Sequence, residues 1–182
     1  MKLLFLIEKL QASEVFQQYK EKNPSAYFFA GFFVLDLDIK NNQYQLDYSD
    51  DSGNIMTFSV NSEIKAKPAE QLSKIPLRIK DELKIDIDAL DAIAKKEAEN
   101  KGLKINKIMA ILQNVREDRF SEHPKVPNKT QGLFDHEGKV IWNLTCMQGL
   151  KILKLKISAE SGEIFESSEL NMMDFVKKIK KN

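Results

Sequence analysis

One cysteine and two histidines in 182 residues leave no material for an internal disulfide framework or for a zinc centre built on paired cysteines. His123 and His136 are too far apart for the i, i+4 pair of a helical metal site, and Cys-x-x-Cys is absent. The seven glycines form neither a Gly-x-Gly-x-x-Gly fingerprint nor a phosphate-cradling loop. No apolar run approaches the ~20 residues that span a bilayer. The first run covers only Leu3 to Ile7 before Glu8 and Lys9 interrupt it, too short for the apolar region of an export signal. The expected location is therefore cytoplasmic, for a chain from which no export segment has been removed. Charge of one sign is lacking too: 28 basic against 27 acidic residues give a formal net charge of +1, with no basic field to gather nucleic acid. No cofactor is expected.

What is present is the composition of a globular protein, 42% hydrophobic and 30% charged, in a chain long enough to bury a core. Residues 3–22 read as helix interrupted at Ser13, with Ala12, Val15, Phe16 and Tyr19 forming an apolar stripe before Asn23-Pro24 ends it. Strands follow at 27–38, 44–48 and 56–60. Residues 62–86, with Pro68, Pro76 and mixed charge, read as a connector. A helix over 89–100, capped by Asp88, then precedes strands at 105–115, 140–146, 150–158 and 163–167, and Ser168 is placed to cap a last helix. The fold class is α+β. Two tandem units, 1–61 and 87–182, each pair a helix with an antiparallel meander.

A near-repeat supports that division. Leu46-Asp-Tyr-Ser-Asp-Asp-Ser-Gly-Asn-Ile-Met56 matches Leu155-Lys-Ile-Ser-Ala-Glu-Ser-Gly-Glu-Ile-Phe165 in register, with Gly53 and Gly162 in the turns. These hairpins are offset by 109 residues, whereas the helices and first strands are offset by 77. The difference places an insertion at 116–138, long for a connection inside a compact domain. Trp142 and Cys146 fall in the apolar-rich run after it and are expected in the core.

Asp88-Ala-Leu-Asp-Ala-Ile-Ala-Lys-Lys-Glu-Ala98, Lys139-Val-Ile-Trp-Asn-Leu144 and Ile157-Ser-Ala-Glu-Ser-Gly-Glu-Ile164 together resemble the PepSY domain family, over about residues 88–165 and more faintly over 14–58. Ser158 and Ser161 stand where the family often has Asp and Thr. The resemblance implies a helix packed on an antiparallel sheet, as in cystatin-like folds. It also implies a non-catalytic module, in some members proposed to restrain peptidases. It carries over no catalytic residue.

The residues in excess are the aromatics Tyr27, Phe28, Phe29, Phe32 and Phe33 on one strand. A small unit that cannot cover both faces of that strand would leave part of it, Tyr27, Phe28, Phe29 and Phe32, as an apolar binding surface or a homodimer contact. Acidic pairs such as Asp36/Asp38 and Asp86/Asp88 read as solvated faces, and His123, Asp135 and His136 as surface residues. The functional expectation is a binding module for a protein or peptide. The alternative is a small intracellular enzyme whose apolar pocket is covered by residues 116–138.

Overall fold

A computed structural model describes residues 1–39, 41–72, 75–79, 83–116 and 138–173. Two short helices open the chain, α1 (Leu3–Gln11) and α2 (Glu14–Lys22), separated by Ser13, whose Oγ accepts from Phe16 N at 3.3 Å as an N-cap. Strands β1 (Tyr27–Asp36), β2 (Gln43–Ser49), β3 (Ile55–Val60) and β4 (Ile64–Ala69) follow. Then come α3 (Ile87–Asn100), β5 (Lys107–Val115), β6 (Lys139–Gln148), β7 (Lys151–Ser158) and β8 (Ile164–Asn171).

The eight strands among the described residues form one antiparallel sheet in the order β4-β3-β2-β1-β5-β6-β7-β8. Each half is thus a helical segment followed by a four-stranded meander that runs outward from the centre. The halves meet where β1 pairs with β5, with Phe33 opposite Ala110. One face of the sheet carries Phe33, Leu46, Phe58, Leu112, Trp142 and Leu153, all without solvent exposure. Leu6 and Leu10 of α1, Phe16 of α2 and Leu90 and Ala94 of α3 complete the same core, so the three helices share that face. Trp142 is fully enclosed, its ring 5.5 Å from that of Phe33, and its indole N–H donates to the Ile85 carbonyl at 2.9 Å.

The central strand keeps its phase by a bulge. Phe28 pairs with Tyr48 and Ala30 with Asp47, which leaves Phe29 unpaired. Strict alternation would put Phe28 and Phe33 on opposite faces; with the extra residue both are buried on the helix side. Burying a phenylalanine contributes about 1.5–3 kcal/mol. A backbone hydrogen bond contributes about 0.5–1.5 kcal/mol net, so the interrupted ladder is the smaller term.

Several boundaries differ from the sequence reading. Residues 64–69 of the expected connector form β4, so the first meander has four strands and not three. Lys65, Lys67 and Pro68 are tolerated there because β4 lies at the sheet edge. Asp86, and not Asp88, caps α3. Ser168 caps no helix but pairs with Lys154 within β8, which continues to Asn171. Gly53 and Gly162 both have φ of +79°, yet Gly53 lies between β2 and β3 and Gly162 between β7 and β8. They occupy different steps of their meanders, so the two hairpins are not equivalent. What recurs is local turn chemistry. Asp50 Oδ1 accepts from Ser52 N and Asn54 N, while Ser158 Oγ accepts from Glu160 N and Ser161 N. Residues 116–138 separate β5 from β6, the first and second strands of the second half. Most of residues 116–138, with His123, Asp135 and His136, lies outside the described residues, as does the remainder of the expected C-terminal helix.

Candidate functional site: the open face of the sheet

Opposite the helices, alternate residues of the same strands form a second face that no described helix covers. Its centre is apolar. Phe32 lies between Gln45 and Ile111, and Val34 between Gln43 and Met109. Ile111 is 41% exposed, and Phe32, Val34 and Met109 are half-buried. Polar side chains flank the strip: Gln45, Asp47 and Thr57 on one side, Asn143, Thr145, Lys154 and Lys156 on the other. β5 makes this arrangement by being apolar at both phases. Ile108, Ala110 and Leu112 enter the core, while Met109 and Ile111 point the other way.

The four aromatic residues expected to form a surface divide. Phe28 is 7% exposed and packs against Tyr48, with ring centroids 5.8 Å apart, so it belongs to the core and drops out of the surface. Phe29 is half-buried at the bulge, and Tyr27 is half-buried with its hydroxyl donating to the Pro76 carbonyl at 2.9 Å. Phe32 lies on the open face. Its apolar neighbours Met109 and Ile111 were missed because they come from a strand whose two faces the sequence reading did not separate. The signal was the apolar residues at both phases of 107–113.

Of the titrating groups with clear shifts, Asp47 flanks the strip, while Cys146, Asp50, Tyr19 and Tyr27 lie elsewhere. Burial pushes the Cys146 thiol up to about 12, removing it as a thiolate nucleophile near neutral pH. Burial also raises the Asp47 carboxyl, opposed by hydrogen bonds from Thr57 Oγ1 at 2.6 Å and Gln45 Nε2 at 3.2 Å. Asp50 is lowered, chiefly by the Asn54 side chain in its turn. Tyr19 and Tyr27 are raised, first by burial.

The acidic pairs have structural positions. Asp36 Oδ1 accepts from Asp38 N and Ile39 N, and Asp86 Oδ1 accepts from Leu3 N and Ile87 N. Among the described residues no group of three or more His, Cys, Asp or Glu side chains converges as a metal site.

Two open clefts adjoin on the helix side at Asn42 and Tyr44. One, of about 480 Å³, lies beside Asp88, Asp91 and Lys95; the other, of about 470 Å³, lies beside Phe5, Lys9 and Asn61. Neither contains Cys146 or Asp47. Among the described residues no helix is long and apolar enough to cross a membrane.

No family model and no curated protein matches this sequence. In structure the chain is similar to a protein of Clostridium difficile 630 described as a "putative lipoprotein". The two share 13% sequence identity at a TM-score of 0.50, over 86% of this chain and 91% of that one. At that identity the likeness is one of fold.

Proposed function

We propose that the protein is a non-catalytic binding module that takes a protein or peptide on the open face of its sheet. The observation that carries this reading is the apolar strip Phe32, Val34, Met109 and Ile111, left uncovered by the described residues at the centre of a wide sheet and bordered by polar side chains. An apolar centre with a polar rim is the usual anatomy of a protein-binding patch. The shifted groups add support, since none of them lines either of the clefts that adjoin at Asn42 and Tyr44.

The PepSY resemblance is retained within this proposal, with the peptidase-restraining role it implies. Two features support it: α3 runs directly into the β5–β8 meander, and the 77-residue offset carries Phe33 onto Ala110, its own cross-strand partner. Cytoplasmic location remains part of the reading. Fractionation that recovered the protein with membranes or outside the cell would overturn that part.

The test is capture from native lysate by the wild-type protein, by Ile111→Glu, and by Leu150→Glu. Leu150 is 54% exposed in the turn after β6 and serves as a control. A partner retained by wild type and Leu150→Glu but lost with Ile111→Glu supports the reading. Equal retention by all three contradicts it.

A further inference from the structure

Among the described residues the sheet ends in two exposed strands of opposite charge. β4 carries Lys65 and Lys67 and no acid; β8 carries Glu166 and Glu169 and no base. We infer that β4 of one copy of the chain docks edge-on against β8 of a second, extending the sheet head to tail.

Three features of the fold allow this. First, β4 and β8 run in opposite directions, being the first and last of eight antiparallel strands. A second copy placed in the same orientation therefore brings its β4 antiparallel to β8, with both sets of helices on one side. Second, the ladders fix which face each charge occupies. Lys65 pairs with Ser59 and Lys67 with Thr57, which puts both lysines on the open face; Glu166 pairs with Lys156 on that same face. Glu166 would thus sit beside Lys65 and Lys67 across the join. Third, each of these ion pairs has at least one exposed member and stays in contact with solvent. Lys65 meets Glu63 at 2.9 Å, Glu166 meets Lys156, and Glu169 meets Lys101 at 3.5 Å. Such pairs are weak and readily shared.

Lysine and proline on an edge ordinarily obstruct strand addition. Pro68, with no N–H, limits the pairing to residues 64–67. The lysines obstruct selectively: β4 against β4 or β8 against β8 sets like charges together, whereas β4 against β8 does not. The contact is heterologous and leaves a free edge at each end, so association continues with concentration and does not stop at a closed dimer. One short strand pair is a small interface, so the association is reversible and sensitive to salt.

Sedimentation equilibrium of the full chain at low and high salt tests this, alone and with Lys65→Glu/Lys67→Glu. The expected result is a weight-average mass that rises above the 20.9 kDa monomer with concentration at low salt and returns toward it at high salt. The double variant alone stays monomeric. Added to wild type it lowers the average mass, because its intact β8 accepts a wild-type β4 while its own β4 accepts nothing. Wild type that remains monomeric at low salt and high concentration overturns the inference, as does a double variant that associates like wild type.

Discussion

A side chain at Gly162 would meet Ile85 Cδ1 at 2.9 Å, whereas one at Gly53 would meet nothing closer than Gln71 Nε2 at 3.6 Å. Both glycines have positive φ, which costs an L-residue roughly 1–2 kcal/mol. Gly53→Ala should therefore lose about that much stability and Gly162→Ala more, measured by urea unfolding; equal losses would mean that Ile85 yields freely. Cys146 gives a pH prediction at the same scale. Its thiol rises on folding from the ordinary 9.0 to about 12, so the native state disfavours the thiolate. Its contribution to stability is complete below pH 9.0 and lost as pH rises toward about 12. Cys146→Ala should accordingly flatten the loss of stability on the alkaline side, and the native thiol should be inert to Ellman's reagent until the chain unfolds.

Helix ends and strand phases decide how the elements are held. α1 has no side-chain cap of its own; Asp86 serves it from across the fold, accepting from Leu3 N at 2.8 Å and from Ile87 N at 2.6 Å. Asp86→Ala removes an acceptor shared by two helix starts and should cost about 1–3 kcal/mol, while Asp86→Asn should recover most of the loss in thermal unfolding. Asp86 and Asp88 both offer a carboxylate at this helix start, and only the tertiary contact with α1 separates them. Ser13, Asn23-Pro24 and the strands around Trp142 were legible because local capping, proline geometry and period-two alternation set them. β4 was not, since Lys65, Lys67 and Pro68 look like a loop until the sheet edge supplies the environment that tolerates them. The candidate site was half legible for a related reason. Phe28 to Phe33 showed an aromatic excess, but the bulge that sends Phe28 inward and leaves Phe32 outward has no signature short of the sheet itself.

At the scale of the whole molecule the two halves share one sheet and one core, and Trp142 lies where they meet. Trp142→Ala should cost about 3–5 kcal/mol. Native tryptophan emission should be blue-shifted and protected from iodide, and a red-shifted, quenchable native emission would contradict this burial. β5 and β6 are paired up to Val115 and Lys139, which closes the hairpin at its base. Replacing residues 117–137 by a short turn should then preserve cooperative unfolding, and a broad, non-cooperative transition would show that those residues belong to the folding unit.

The apolar strip opposite the helices is, in the function proposed, where a partner sits. The most direct measurement is photo-crosslinking in cells from benzoylphenylalanine placed at Ile111, with the same probe at Leu150 as reference. A discrete protein or peptide adduct is expected from position 111 and none from position 150. No adduct from 111, or the same adducts from both, would contradict it.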